Sequence, residues 1–203
     1  MKNTHELEDD LRERWLKSYP DDERKAFCFD GLCYNGEIYN DGKNAHQGNE
    51  EKLWNNTDRR ILFLMKDTNN NSDSDYREWH WRNINHNFFN CIFKWLEGLS
   101  RISKDFIPTM ENGDYAAVPN AVVTKYPLAI VNIKKISGTS FVSNKTLYEY
   151  ANRDKAFLQE QIRGILHPNI IVCGGGKGTV LNIAKNIIYE DESFREINYL
   201  DRK

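Results

Sequence analysis

Apolar and polar positions alternate in two different rhythms along this chain. Leu7, Leu11, Trp15 and Leu16 recur at helical spacing, and Tyr19-Pro20-Asp21 ends the helix they predict. Lys25–Tyr34 reads as extended, with strand-like bulk in Phe27, Phe29, Leu32 and Tyr34 and a turn at Asp30-Gly31. Positions 40–59 are rich in Asn, Gly and charge and predict a loop or a poorly ordered link.

From residue 61 a unit repeats. Ile61–Met65 is an unbroken apolar run, too short for a helix and suited to a strand buried on both faces. A polar loop, Lys66–Asp75, follows it. Ile84, Phe88, Phe89, Ile92, Phe93, Leu96 and Leu99 then mark one side of a long helix. Residues 101–127 hold Pro108, Pro119 and Pro127 and predict no more than a short helix or loops. Leu128–Ile133 is a second strand, Lys134–Asn144 its loop, and Leu147–Leu166 a second amphipathic helix. The third round is Ile170–Cys173, the glycine turn Gly174–Gly178, and a helix through Val180, Leu181, Ala184, Ile187 and Ile188. Ile197–Leu200 would start a fourth strand. Strands alternating with helices predict an α/β fold, a three-layer α/β/α sandwich with a central, mainly parallel sheet of about four strands. The expected organisation is one domain over 1–203, with 1–60 supplying a helix and an extended segment and 61–203 the core.

Composition narrows the function classes. The chain has 203 residues and is 39% apolar and 29% charged, within the globular range and outside the disordered one. It contains nothing near the roughly 18 apolar residues of a membrane span, and Met1–Asp10 is too polar for a signal peptide. Four cysteines in this length are not a disulfide framework, which points to a reducing, cytoplasmic setting. The net charge of −2 excludes a protein that coats nucleic acid indiscriminately, yet its distribution is uneven. Residues 1–60 carry 10 Lys/Arg and 14 Asp/Glu, whereas 121–185 carry 9 Lys/Arg against Glu149, Asp154 and Glu160. That basic stretch is either a set of solvated faces or a region that meets phosphates, DNA included.

In a sheet of this kind ligands bind beyond the carboxyl ends of the strands, which selects three places. At the first, Asp67 follows a buried strand and would orient water, stabilise a cation or hold a metal, unless Asp67, Thr68 or Asn69 simply caps a turn. At the second, Asn132 ends an apolar strand. Its carboxamide offers a donor and an acceptor side by side, suited to the edge of a base, or it ties down its own loop. Lys134, Lys135, Ser137 and Ser140 would hold a phosphate there, or are exposed loop residues. At the third, Gly174 and Gly175 lead into a helix N-terminus, an anion site or a tight turn for close packing. It matches neither a Walker A loop nor Gly-x-Gly-x-x-Gly. Trp79, Trp81, Phe88 and Phe89 flank the first loop, where one of them would stack on a flat ligand, core packing being the other role open to the two Phe. The cysteines and the five histidines fit no metal-ligand spacing, so no metal or cofactor is expected.

These pieces together resemble the uracil-DNA glycosylase superfamily over residues 61–200. The strand Ile61–Leu64 ends in Met65-Lys66-Asp67-Thr68, where that superfamily has a Gly-Gln-Asp-Pro or Gly-Glu-Ala-Pro type motif. The second strand ends in Asn132, at the place of its base-reading Asn, and Ile170–Gly174 matches a third strand running through glycine into a helix. Phe29-Asp30-Gly31 with Leu64-Met65-Lys66-Asp67 looks like a little-characterised bacterial branch. The resemblance implies cleavage of the bond between a deoxyribose and uracil or a damaged base. Asp67 would activate water and Asn132 pair with uracil O4 and N3–H, with Thr68 and Asn69 also on the substrate and the base stacked on Phe88 or Trp81. Lys66 or Lys135 would stabilise the leaving anion. Lys66 stands where the motif has Gln or Glu, Thr68 where it has Pro, and no His-Pro-Ser segment follows Leu200 within the 203 residues. The runner-up is a non-catalytic nucleotide- or nucleic-acid-binding module on the same scaffold. An enzyme for a small phosphorylated metabolite ranks last, because no base accompanies Gly174–Gly178.

Overall fold

The computed structural model describes residues 2–40, 44–68, 74–78, 87–108, 119–138, 141–175 and 178–197. Asn3 starts helix α1 (Thr4–Ser18), its side chain accepting from the Glu6 N–H while Glu6 returns a bond to the Asn3 N–H. A short helix α2 (Asp21–Arg24) follows Pro20, and the chain then enters β1 (Cys28–Phe29) and β2 (Gly31–Leu32). Asp30-Gly31 is not a hairpin turn. β1 pairs in parallel with β4 (Ser74–Asp75), while β2 pairs antiparallel with β5 (Ala129–Lys134), so Asp30 lies where the chain passes from one sheet to another.

The larger sheet has the order β2-β5-β3-β6, with β3 (Ile61–Asp67) parallel to β5 on one side and to β6 (Ile170–Cys173) on the other. It is small and mostly parallel, as the repeating unit predicts. Its fourth strand is the N-terminal β2. Ile197 carries no strand structure, and Asn198–Leu200, where a fourth strand was expected, lie outside the described residues.

Alternate strand residues enter two apolar clusters. Leu62 and Leu64 of β3 join Ala129, Val131 and Ile133 in one. With them are Leu11 and Trp15 of α1, Leu147 and Ala151 of α6 (Asn144–Arg153), and Val180 and Ile183 of α8 (Thr179–Ile183). Ile61, Phe63 and Met65 join Leu128 and Ile130 in the other, against α4 (Asn87–Arg101) and α5 (Pro119–Lys125). This two-sided burial is why the strands read as continuous apolar runs.

Three departures from the sequence pattern have physical causes. The stretch 40–59 is not wholly loop. It holds helix α3 (Glu50–Asn56), anchored by one large residue, Trp54, which is buried and donates to the Leu166 carbonyl at 2.9 Å. The helix expected over 147–166 breaks at Asp154, whose buried carboxylate accepts from the Tyr19 hydroxyl. Beyond it, α7 (Lys155–Gln159) continues as a π-helical segment, Glu160–Leu166. Finally, α1 buries a different face. Leu7 is exposed, whereas His5 and Glu8 go inside with Leu11 and Trp15. Glu8 lies 3.6 Å from Arg77 and accepts from the Leu32 N–H at 3.3 Å. Gly31 makes this possible: a Cβ there would stand 1.9 Å from Glu8 Oε1.

Candidate functional site

β3 and β5 set the frame of the site. Cα register pairs Met65 with Asn132 and Asp67 with Lys134. Paired residues share a sheet face, so Asp67 and Asn132 lie on one face of neighbouring strands. Their Cα atoms are about 8 Å apart from strand spacing and rise. Asp67 continues the row Ile61, Phe63, Met65, at the end where the strand leaves the apolar cluster.

Asp67 is incompletely satisfied. Its Oδ2 atom is shut off from solvent, and so is the Thr68 hydroxyl, and neither has a hydrogen-bond partner among the described residues. Lys134 Nζ stands 3.9 Å from Asp67 Oδ2, too far for a hydrogen bond, and donates instead to the Ile136 carbonyl. Burial raises the Asp67 carboxyl above the usual carboxylate range, opposed by the Lys134 and Lys66 ammonium groups. Burial likewise lowers Lys134, opposed by Asp67. The loop after β5 closes over this pair, with the Gly138 N–H donating to the Thr68 carbonyl at 3.2 Å. A Cβ at Gly138 would stand 3.3 Å from Asp67 Oδ2 and 3.0 Å from Lys134 Nζ, so glycine allows the loop to come this close. A half-buried carboxylate with a free oxygen and an ammonium nearby can take a proton from water and hold developing positive charge.

Asn132 is arranged differently. It is buried, and Asp30 holds it twice: Asn132 Nδ2 donates to Asp30 Oδ2 at 2.9 Å and the Asn132 backbone N–H donates to the same oxygen at 3.0 Å. The other Asp30 oxygen accepts from Lys135, which also donates to Gln161 Oε1 at 3.2 Å. Gln161 in turn donates to the Asp30 carbonyl at 2.6 Å. Burial pushes the Asp30 carboxyl up, while Lys135 and the Asn132 donors pull it back.

Several predicted site residues have other work. Lys135 is not a loop lysine for phosphate or for a leaving anion. Its side chain is wholly buried, ion-paired to Asp30, with the ammonium 4.8 Å from the Trp15 ring centre. Lys134 is buried as well, and its ammonium is committed to Ile136. The backbone N–H of Gly174 is occupied by the Leu64 carbonyl and is not available to a phosphate; that of Ser137 donates to the Ala26 carbonyl at 2.8 Å, which leaves the expectation for its hydroxyl untouched. Gly174 and Gly175 serve close packing. A Cβ on the first would stand 2.4 Å from Met65 Sδ, and on the second 3.2 Å from Lys66 Cε. Lys66 therefore flanks the site from the β6 side. Asn69, Trp81 and Ser140 lie outside the described residues, as does the side chain of Phe88 in the first turn of α4. Asp30 and Gly138 were not singled out as site residues from the sequence. A lone acid between Phe29 and Leu32 was the available signal for the first.

The basic stretch does not act as a field. Lys145 pairs with Glu149, Arg153 with Glu23, Lys155 with Glu190, Arg163 with Asp191 and Lys185 with Glu196, in addition to Lys134 with Asp67 and Lys135 with Asp30. Acids from outside 121–185 supply most of these partners, so the excess of nine cations over three acids in that window is largely cancelled in space. Net charge along the sequence therefore gives no support to DNA binding through 121–185.

A cavity of about 650 Å³ lies elsewhere, beside β6 and α8, lined by Ile171, Cys173, Leu181, Lys185, Tyr189 and Phe194 among others. It includes neither Asp67 nor Asn132. Among the described residues no helix is long and apolar enough to cross a membrane, and no group of three or more His, Cys, Asp or Glu could hold a metal ion. No family model, curated protein or solved structure matches the chain.

Proposed function

We propose that this chain is a uracil-DNA glycosylase-like N-glycosyl hydrolase on a three-layer α/β/α scaffold, acting on uracil or a related damaged base carried on deoxyribose. The single observation that carries the reading is the free, buried oxygen of Asp67 at the end of β3, on the face it shares with the Asn132 carboxamide. Breaking an N-glycosidic bond builds positive charge on the sugar and negative charge on the base. Asp67 meets the first demand: its Oδ2 has no hydrogen-bond partner among the described residues, Lys134 Nζ standing 3.9 Å away, so it can orient water and oppose an oxocarbenium-like centre. Asn132 meets the base across the spacing of two strands. Its carboxamide accepts from N3–H and donates to O4 of uracil, a pattern cytosine inverts. Lys66 is the cation left to face the departing base, since Lys135 is enclosed.

Paired cations along 121–185 favour a small footprint on the nucleic acid. Base release from a uracil-containing oligonucleotide should therefore weaken only shallowly as salt rises. The direct test is Asp67→Asn, isosteric and neutral, assayed for free uracil. Release falls by roughly 10²- to 10⁴-fold with melting temperature preserved. An active wild type matched by an equally active variant rejects Asp67 as the catalytic group, and a wild type that binds the oligonucleotide without releasing base selects the binding module.

A further inference from the structure

We infer that Asp30 is a positioning residue that sets which way the Asn132 carboxamide faces, and through it which base the site accepts. This rests on the glycosylase reading of Asp67 and Asn132 and adds the origin of its selectivity. A carboxamide flipped by half a turn exchanges its oxygen and its NH₂, and free in solution the two orientations are nearly equivalent. At Asn132 they are not. Asp30 Oδ2 lies 2.9 Å from Asn132 Nδ2 and already accepts from the Asn132 backbone N–H at 3.0 Å. A carboxylate accepts and never donates, so only the orientation with nitrogen toward Asp30 makes a hydrogen bond; the other sets two oxygens against each other.

The rest of the cluster holds Asp30 in that role. Lys135 occupies its second oxygen, Gln161 takes its carbonyl, and both partners are wholly buried, as Asp30 nearly is. Gly31 then carries the chain past Glu8 where a side chain would collide with the carboxylate. With one N–H of Asn132 spent on Asp30, the second N–H and the oxygen form the edge left for a ligand. That edge donates at one position and accepts at the next, complementary to the O4 and N3–H of uracil. Cytosine presents a lone pair at N3 and an NH₂ at C4, which would require the flipped amide.

The test is Asp30→Asn combined with Lys135→Met, which removes both charges together so that neither is left buried alone. Residue 30 can then offer Asn132 either an acceptor or a donor, and the flip is no longer opposed. Uracil and cytosine release are measured from otherwise identical oligonucleotides, alongside the melting temperature. The folded double variant is expected to lose roughly tenfold or more of the uracil-to-cytosine ratio, cytosine release rising from its wild-type level. A purely structural role for Asp30 lowers both rates together and leaves the ratio alone. An unchanged ratio in a folded variant overturns the inference while the function stands. A wild type releasing neither base overturns the function itself. If the double variant does not fold, Asp30→Asn alone is measured: a fallen uracil-to-cytosine ratio supports the inference, and both rates falling together at an unchanged ratio overturns it.

Discussion

Lys134 and Lys135 are consecutive residues, each buried and each facing an aspartate, yet their surroundings differ. Lys135 and Asp30 form a closed knot. The ammonium contacts a carboxylate, the Gln161 carbonyl oxygen and the faces of Trp15 and Phe29, and each Asp30 oxygen is occupied. Lys134 and Asp67 are left at 3.9 Å, with Asp67 Oδ2 and the neighbouring Thr68 hydroxyl unpartnered among the described residues. A satisfied buried ion pair makes a fold specific but has nothing left to offer a ligand. A carboxylate left half-dry at the end of a central strand costs stability, and what it retains is reactivity. The same pair of residue types is structural in one place and chemical in the next.

Removing each ammonium in turn separates the two. Lys135→Met leaves Asp30 charged in the core with no counter-ion, and should cost roughly 3–5 kcal/mol in denaturant unfolding. Lys134→Met should cost less than Lys135→Met, because Asp67 Oδ2 stands 3.9 Å from Lys134 without a hydrogen bond and Asp67 can take up a proton instead. Its effect is on activity. Without that ammonium the Asp67 carboxyl rises further, so the acid limb of the rate profile, already above that of an ordinary aspartate, moves to higher pH. Equal losses of stability in the two variants would erase the distinction.

A second experiment tests how the closed region stores energy. Burial pushes Glu8 up to about 7 from 4.5, with Arg77 and His5 opposing. The folded state therefore keeps a proton that the unfolded chain has released, so this group stabilises below 4.5 and its contribution is lost as pH rises through about 7. Glu8→Gln should flatten the pH dependence of stability across that window, by up to roughly 3 kcal/mol, as read from unfolding curves at pH 5 and pH 8. An unchanged slope would mean Glu8 titrates as if exposed.

The smallest effect is expected in the open region. Thr68→Val replaces a buried hydroxyl that is unpartnered among the described residues with a methyl of similar shape. Melting temperature should hold or rise, by up to about 1 kcal/mol in stability. A clear destabilisation would show that the hydroxyl is bonded in the folded protein and that this end of β3 is not open.

Much of the framework was legible along the chain. Three apolar runs of strand length, each followed by an amphipathic helix, placed β3, β5 and β6 within a residue or two and gave the parallel pairing, because strands covered on both faces cannot tolerate polar interruptions. Asp67 could be located as the polar residue where β3 ends, and Asn132 as the polar residue inside the apolar run of β5. The partner of β2 was not legible, since a two-residue strand has too few side chains to show a period. Nor was α3, whose burial rests on Trp54.

The order of side chains thus determined the layers and the strand ends, since periodicity and burial are local properties that each segment carries with it. Which lysine would be enclosed and which left open, which acids would cancel the basic stretch, and that Asp30 would reach Asn132 across 102 positions were decided only when distant segments met. Electrostatics depends on separation and burial rather than on sequence distance, and neither exists before the chain is packed.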